Sequence, residues 1–349
     1  MSLVNCPDVQ VELNNFYQTC DASMLREPMP FFDFLWSDVN VGGLQQVVTP
    51  GGGKIRNVVL RYDKRILEAD VNEVSSCATV CTAETTRNDS SATISIDPCD
   101  KLMIEETMTA IDWAYACQSN EQIVAKKIQL MVDAVVRKMA TRLTTQASSM
   151  LGVWQSDVSP VTDDKLCLVP YISGIINPLA MANLDFAMQQ TNFCSTTAVF
   201  GGSTFYQYSR AINAGCCSAH GIDISSISAQ YGKAVLYDKR VQSIVGADGG
   251  WVLQAGSLVP IYYTQNNNSI MNGIANATGA NVQVGANYYK TVIQDPQSGL
   301  PMDLTISDNC GAISIIIEAN AKLFALPSLF NAGDDMEGVN FFTAINTDC

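Results

Sequence analysis

The sequence predicts an α+β fold, because helical and strand patterns occupy separate parts of the chain. A stretch without proline or glycine covers residues 100–147 and is filled mostly with good helix formers. A strand–turn–helix order follows in residues 165–215, and strand patterns separated by turn signals cover residues 288–326. With 349 residues, of which 47% are hydrophobic, the chain can form a sizeable core and allows two domains.

Residues 1–40 are predicted to form an extended arm. Pro28 and Pro30 disfavour a helix in its second half. The same half carries a dense apolar cluster, which consists of Phe31, Phe32, Phe34, Leu35 and Trp36. A cluster of this kind either docks on the body of its own chain or anchors on a neighbouring protein.

Residues 41–99 are predicted to form a β-hairpin. The alternation of Val58, Leu60 and Tyr62 with polar residues indicates a strand, and the polar stretch before Pro98 contains the returning strand. The main basic cluster of the chain lies in this segment and consists of Lys54, Arg56, Arg61, Lys64 and Arg65. It is either a solvated face of the hairpin or a face that reaches across an acidic neighbouring protein.

Within residues 100–147, two helical halves are predicted, with a turn or kink near Ser119 because Ser119 and Gln122 match a capping box. In the second half, apolar residues recur at helical spacing, namely Val124, Ile128, Met131, Val135, Met139 and Leu143. The stretch is either an ordinary buried helix pair or a strut whose second half alone would reach roughly 40 Å.

The next part of the chain combines short strands with helices. A strand is predicted over residues 166–172, and Asn177 begins a helix that runs to Gln190. A short buried strand over residues 196–200 precedes a helix over residues 203–215. This order indicates a compact region of mixed helix and sheet.

The last part of the chain is predicted to consist of strands and loops. The strands are predicted over residues 232–245, 249–264, 288–296, 297–309 and 310–327. A glycine-rich hairpin turn is predicted at 246–250, and residues 265–287 are predicted to form a loop because they are rich in Asn, Gly and Ala. The tail over residues 330–345 is predicted to be loop-like.

Charge excludes one class of function. The net charge is −14, which argues against a dedicated nucleic-acid binder, since such a protein presents a basic face. Only 15% of the residues are charged, against about 25% in ordinary soluble domains. Much of the surface is therefore covered by other protein, or else neutral Asn, Gln, Ser and Thr take the place of charged residues.

The 12 cysteines are scattered from Cys6 to Cys349 rather than grouped in a framework. The first residues lack the basic start and apolar run of a signal peptide, and no run approaches the 18 apolar residues of a membrane span. We therefore expect synthesis in a reducing cytoplasm, with most cysteines as small buried apolar residues. The alternative is a secreted, disulfide-bonded binding domain.

The candidate chemical groups form no complete site. His220 is the single histidine, and a cysteine-dependent hydrolase would use it with Cys216 or Cys217, but no oxyanion motif frames them. Cys77 and Cys81, like Cys216 and Cys217, lack the spacing of a structural zinc site. The acidic residues around position 335 lack the spacing of a calcium loop. The sequence predicts no catalytic residue, no metal site and no cofactor, which favours a structural protein over an enzyme.

The order of the parts resembles the major capsid proteins of tailed double-stranded DNA bacteriophages, which have the Hong Kong phage fold. An arm leads to a basic hairpin, a long helix, a mixed region and late strands. Local phrases are also similar, namely AVFGGSTFYQYSRAI, YDKRVQSIVGADGGWVLQAGSLVPIYY and TVIQDPQSGLPMDLTISDNCG. The resemblance covers most of the chain.

The resemblance implies a division of the chain into five parts. These are an N-terminal arm (1–40), an E-loop β-hairpin over a neighbouring subunit (41–99), a peripheral domain with the spine helix (100–164), an axial domain (165–287), and returning peripheral strands with the C-terminal tail (288–349). It further implies inter-subunit contacts, which we assign to Phe31, Phe32, Phe34, Trp36, Arg61, Lys64 and Arg65.

The resemblance also implies a function. The chain would be a structural subunit, not an enzyme, that self-assembles as hexamers and pentamers into an icosahedral head. The head would enclose double-stranded DNA without sequence-specific binding and without a membrane. Its partners would be a scaffolding protein, a portal and decoration proteins, and it would be assembled in the host cytoplasm and reside in the virion. A cellular nanocompartment shell of the same fold is the alternative within structural proteins.

Overall fold

A computed structural model of the protein describes residues 26–37, 40, 56–63, 89–97, 99–109, 120–152, 154, 161–162, 165–172, 175–177, 179–191, 193, 197–213, 235–264, 288–309, 312–325 and 342–347. The helices are α1 (Pro30–Trp36), α2 (Asn120–Ser148), α3 (Leu179–Gln190), α4 (Ser203–Asn213) and α5 (Lys239–Val245). The earlier strands are β1 (Arg56–Asp63), β2 (Asp89–Ile96), β3 (Leu102–Thr109), β4 (Val161–Thr162), β5 (Lys165–Cys167), β6 (Tyr171–Ile172) and β7 (Ile175–Ile176). The later strands are β8 (Thr197–Gly201), β9 (Val235–Tyr237), β10 (Gly249–Gln254), β11 (Leu258–Tyr262), β12 (Tyr288–Gln294), β13 (Pro301–Asn309), β14 (Ala312–Ala319), β15 (Ala321–Ala325) and β16 (Phe342–Asn346).

A four-stranded antiparallel sheet carries the long helix α2. The strand order is β12-β13-β14-β3, and every second residue of β14 is buried, as expected for a sheet with one covered face. The predicted apolar stripe of α2 belongs to the same core, and its members are Val124, Ile128, Met131, Val135, Met139 and Leu143. The helical period predicted for the second half of residues 100–147 is therefore confirmed.

Residues 102–109 of the first half of this stretch form a strand, so the prediction of a helix is wrong for them, and residues 110–119 lie outside the described residues. Leu102 begins β3, which pairs with β14 along its whole length, with Leu102 opposite Ala319. The sequence LMIEETMT contains good helix formers, but pairing with β14 overrides this weak local preference. Helix α2 begins at Asn120, next to the predicted division of the stretch.

A six-stranded sheet of order β4-β5-β16-β10-β8-β9 lies between two groups of helices. Val252 of β10 packs in the cluster that contains α3 and α4. Its neighbours Trp251 and Leu253 point to the other face and join the cluster that contains α1 and α2. This alternation follows from the two-residue period of a strand.

The C-terminal strand β16 lies inside this sheet, so the prediction of a loop-like tail is wrong for residues 342–346. β16 pairs in parallel with β5 and antiparallel with β10. Phe342, Thr343 and Ile345 are buried, and the Trp154 indole donates a hydrogen bond of 2.6 Å to the Ala344 carbonyl. A strand that is covered on both faces shows no alternation of apolar and polar residues.

Residues 232–245 contain a helix as well as a strand, which corrects the prediction of a strand throughout. β9 ends at Tyr237, and the Asp238 carboxylate then accepts hydrogen bonds from the backbone N–H groups of Arg240 and Val241 at the start of α5. The glycine-rich stretch predicted as a turn also begins β10. A Cβ atom at Gly250 would lie 2.7 Å from the Phe200 carbonyl oxygen, so this close strand contact requires glycine.

The remaining described elements agree with the sequence in type and are shorter in extent. Helices α3 and α4 and strand β8 lie where the sequence predicts them. The predicted strand 166–172 is divided into β5 and β6, and Pro170, which has no N–H group to donate, lies between them. The predicted strand 310–327 is divided into β14 and β15 at the buried Asn320.

Strands β1 and β2 form a separate two-stranded hairpin. They pair antiparallel over eight positions, from Arg56 opposite Ile96 to Asp63 opposite Asp89. Neither strand pairs with any third strand among those described. The predicted hairpin is confirmed in these two segments.

Helix α1 corrects the prediction that Pro28 and Pro30 exclude a helix. Pro30 is the first residue of α1, where its missing N–H group has no intrahelical partner to lose and its fixed φ angle suits the helix. The arm predicted to be extended thus contains a two-turn helix.

Two cysteines lie within the described part of the chain. Cys167 is buried, as expected, but is disulfide-bonded, and Cys99 is an exposed free thiol. Neither is the buried free thiol that the sequence predicts for most cysteines.

Candidate interaction surfaces

The apolar cluster of α1 lies in the core of its own chain. Phe31 and Phe32 are fully buried and Trp36 is 8% exposed. The Phe31 ring packs edge-on against the rings of Phe200 and Trp251, each with a centroid distance of 5.2 Å. The prediction that Phe31, Phe32 and Trp36 contact a neighbouring subunit is therefore wrong, because the helix turns these side chains toward the body of the protein.

Phe34 lies one turn after Phe31 in α1 and is only partly buried. Its ring contacts that of Phe200 at a centroid distance of 5.7 Å. Part of this ring stays accessible, so a contact between Phe34 and another protein remains a prediction.

Ion pairs connect the start of this segment with the loop after β12 and with the start of α5. Arg26 Nη1 lies 2.6 Å from Asp295 Oδ2, and both side chains are almost completely buried. Glu27 pairs with Lys239 and Arg240 at 3.2 and 3.4 Å. Each of these pairs joins residues more than 200 positions apart in the chain, and none of them is predicted from the sequence.

The Asp238 carboxylate accepts hydrogen bonds at the N-termini of two helices. Asp238 Oδ1 caps α5, and Asp238 Oδ2 accepts a hydrogen bond of 3.0 Å from the Phe31 N–H group in the first turn of α1. Asp238 therefore satisfies backbone N–H groups in the first turns of both helices. In the sequence, the cap of α5 is indicated by the Asp–Lys–Arg order at the start of that helix. No residue close to Phe31 in the sequence indicates that Asp238 also caps α1.

Asp33 on α1 lies near the same charged residues, and its pKa is raised. Burial raises its pKa, and the nearby charges of Asp295 and Asp238 raise it further. Arg26 and Arg240 lower it, and the net result is a pKa above the usual value for an aspartate. Burial is the largest of these effects, so the cost of removing the Asp33 charge from water is what keeps its pKa above the usual value.

A second surface consists of exposed apolar residues on β6, β7 and α3, and we call it the 169–186 surface. The exposed fractions are 43% for Val169, 40% for Tyr171, 57% for Ile172, 72% for Ile175, 64% for Leu179 and 58% for Phe186. Leu179 and Phe186 are seven residues apart and share one side of α3. Apolar residues that gather on a surface in this way mark an interaction site.

The shape of the 169–186 surface is fixed by Asn177 and Tyr208. The Asn177 N–H group donates to the Pro170 carbonyl, its side-chain amide donates to the Val169 carbonyl, and its Oδ1 atom accepts from the Leu179 N–H group. The buried Tyr208 hydroxyl donates to the Asn177 carbonyl at 2.5 Å. Burial raises the pKa of Tyr208, so the hydroxyl remains a donor at working pH.

Charge is scarce on this surface. In the described parts of residues 166–191, Asp185 is the one charged side chain, and Gln189 donates a hydrogen bond of 2.8 Å to it. This surface was not predicted, because the strand and helix patterns around it do not indicate which side of each element is covered.

Of the three basic residues predicted to contact another subunit, only Arg61 lies within the described residues. Arg61 lies in β1 opposite Ser91. Lys64 and Arg65 lie outside the described residues, as do the other groups considered for chemistry, namely Cys77, Cys81, Cys216, Cys217, His220, Asp334, Asp335 and Glu337. Within the described residues, no group of three or more His, Cys, Asp or Glu side chains could hold a metal ion.

Comparison with known proteins gives a likeness in structure alone. No model of a protein family and no curated protein matches the sequence. The structure is similar to a chain of the capsid asymmetric unit of cyanophage A-1(L), with 11% sequence identity, coverage of 92% of both chains and a TM-score of 0.52. The chain has the tailed-phage capsid fold.

The capsid fold is the one that the order of elements predicts. A protein of Mycobacterium phage Bobi (11% identity, 87% and 89% coverage, TM-score 0.45) and the SrpI encapsulin of Synechococcus elongatus PCC 7942 (12%, 86% and 84%, 0.39) are also similar. The TM-scores of both lie below 0.5. In this capsid fold, α2 and the β1–β2 hairpin are the long helix and the separate hairpin expected from the sequence. Of the described helices, none combines the length and the apolar character needed to cross a bilayer.

Proposed function

We propose that this protein is a structural subunit that assembles with further copies of itself into an icosahedral phage head around double-stranded DNA. The observation that carries the proposal is the capsid fold, which extends over 92% of this chain and of the cyanophage A-1(L) chain. The subunit is proposed to act through contacts with its own copies, as hexamers and pentamers, and without catalysis.

The 169–186 surface supports assembly with a second copy. The chain has a net charge of −14, so two copies repel one another over most of their surface. They approach at least electrostatic cost where a rigid surface is apolar and nearly uncharged. Burial of a half-exposed Ile, Leu or Phe side chain at such a contact contributes roughly 1–2 kcal/mol.

The β1–β2 hairpin is the second proposed contact. Because it is separate from the other described sheets, it can lie over a neighbouring subunit. Arg61, Lys64 and Arg65 would then face the acidic surface of that subunit. Exposed ion pairs contribute only about 0–1 kcal/mol each, so these residues set the orientation more than the strength of the contact.

The division into parts and the partners follow the same proposal. Residues 1–40 are an arm with α1 folded into the body, 41–99 the E-loop, 100–164 and 288–349 the peripheral domain with the tail, and 165–287 the axial domain. The head would be built with a scaffolding protein and a portal, and would accept decoration proteins. Assembly takes place in the host cytoplasm, and the product is the virion.

Sedimentation velocity and negative-stain electron microscopy of the purified protein test the proposal. The protein is expressed with and without the scaffolding protein encoded by its own genome. Closed shells or ring-shaped capsomers are expected in at least one of these preparations. A discrete monomer in both would contradict assembly. Shells that are isolated with an enzyme inside instead of DNA would indicate a nanocompartment.

A further inference from the structure

The turn between the hairpin and the body is held from several sides. β2 ends at Ile96, whose side chain is fully buried, and β3 begins at Leu102. Asn320 Nδ2 donates a hydrogen bond of 2.8 Å to the Asp97 carbonyl. The same carbonyl accepts from the Asp100 N–H group at 3.0 Å, which closes the turn. This turn connects the separate hairpin with the four-stranded sheet.

Ion pairs then fasten the turn to three elements of the body. Asp100 Oδ2 lies 2.6 Å from Arg142 Nη2 on α2 and 3.5 Å from Lys322 Nζ on β15. Lys101 Nζ lies 2.5 Å from Glu318 Oε1 on β14. Partial burial raises the pKa of Asp100, but the hydrogen bond and charge of Arg142, together with Lys322, outweigh it and lower the pKa. Asp100 therefore stays ionised at neutral pH.

We propose that Asp100, with Arg142 and Lys322, is a clamp that fixes the direction in which the β1–β2 hairpin leaves the body. Main-chain pairing cannot fix this direction, because neither hairpin strand pairs with another described strand. Each hairpin strand spans roughly 25 Å at its eight residues, so a small rotation at the turn moves the far end by several ångströms. Asp100, Arg142 and Lys322 are positioning residues.

The clamp deepens the proposed function, on which its role in assembly rests. A hairpin that must lie on a neighbouring copy binds faster and more tightly when its direction is set in advance. Because the Asp100 pairs are partly exposed, each is modest in strength and is weakened by salt. We therefore expect removal of the clamp to change the hairpin's distribution of directions without unfolding the body.

The direct test measures the hairpin direction in the unassembled subunit. Fluorophores are placed through non-natural amino acids at the exposed positions Thr93 on β2 and Lys126 on α2, and single-molecule energy transfer gives the distance distribution. Asp100→Asn is expected to broaden this distribution or shift its mean. Glu106→Gln is the matched control, because it breaks the similarly exposed pair with Lys127 between β3 and α2 but leaves the turn intact.

Hydrogen exchange provides a second measurement on the same variants. The amides of Asp97, Cys99, Asp100 and Lys101 are expected to exchange about two- to five-fold faster in Asp100→Asn, whereas those in the middle of α2 are unchanged. Arg142→Gln should produce the same change, and the double variant should add little, because both act on one interaction. An unchanged distance distribution and unchanged exchange in both single variants would overturn the clamp.

The assembly measurement separates the clamp from the proposed function. Asp100→Asn is expected to lower the initial rate of shell formation several-fold at low salt, with a smaller difference from wild type at high salt. Equal rates for Asp100→Asn and wild type, despite a broader distance distribution, would overturn the role of the clamp in assembly. If the wild-type protein forms no shells while its variants change the hairpin direction, the proposed function fails and the clamp stands.

Discussion

At Asp238, one buried carboxylate joins two helices that are distant in the sequence. It accepts hydrogen bonds from the first turns of both α1 and α5. This contact explains how a segment with two prolines folds as a helix on the body instead of extending away from it. The burial of Phe31 and Phe32 was equally hard to predict, because an apolar cluster that binds a partner and one that fills the core look alike in sequence.

Asp33→Asn is predicted to stabilise the protein at neutral pH. Because the folded-state pKa of Asp33 is raised, the folded state holds the proton more tightly, and stability is lost as pH rises from the unfolded pKa through the folded pKa. The substitution removes this loss. The melting temperature of the variant should therefore exceed that of wild type at pH 7, and the difference should shrink as the pH falls toward 4. A variant that is less stable than wild type at pH 7 would show that the pair with Arg26 outweighs the cost of burying the Asp33 charge.

At the scale of elements, α2 is the part that sequence reasoning predicts best. Its 29 residues carry a helical apolar period, and nearly every residue of the predicted stripe is buried. β3 and β16 are predicted worst, because their structure depends on partner strands that are distant in the chain. Local pattern therefore identifies the amphipathic helix and misses strands whose pairing partners are distant in the chain.

Ile128→Ala tests the role of α2 as the main apolar support of the sheet. Ile128 is fully buried, so its truncation should lower the free energy of unfolding by about 2–5 kcal/mol in chemical denaturation. Leu130→Ala is the matched control, because Leu130 lies on the same helix and is 48% exposed. The control should change the free energy of unfolding by less than about 0.5 kcal/mol. Equal losses in the two variants would mean that α2 is not oriented as described.

The double substitution Ile172→Ser and Ile175→Ser tests the 169–186 surface. Both side chains are exposed, so the melting temperature should remain close to that of wild type. The yield of shells in sedimentation should fall at least several-fold, because the apolar contact between copies is lost. Met103→Ser, which changes an exposed apolar residue on β3, should leave the yield unchanged. If the double variant assembles as well as wild type, this surface does not join subunits.

At the scale of the whole molecule, the order of the elements predicts the fold better than any single residue predicts a contact. The arm, hairpin, long helix and late strands identify the capsid fold, although several boundaries are wrong. Contacts with other copies are harder to predict, because the sequence does not show which apolar residues stay exposed. Phe31 was assigned to an inter-subunit contact and lies in the core, whereas Ile175, for which the sequence predicted neither a contact nor an element, is exposed at the surface.

A cryo-electron microscopy reconstruction of the assembled particle tests the central claim most directly. We predict a closed icosahedral shell of this protein in which every 169–186 surface is covered by another copy and every β1–β2 hairpin lies on a neighbouring subunit. Particles without closed symmetry, or a shell in which both surfaces face solvent in all subunits, would contradict the account.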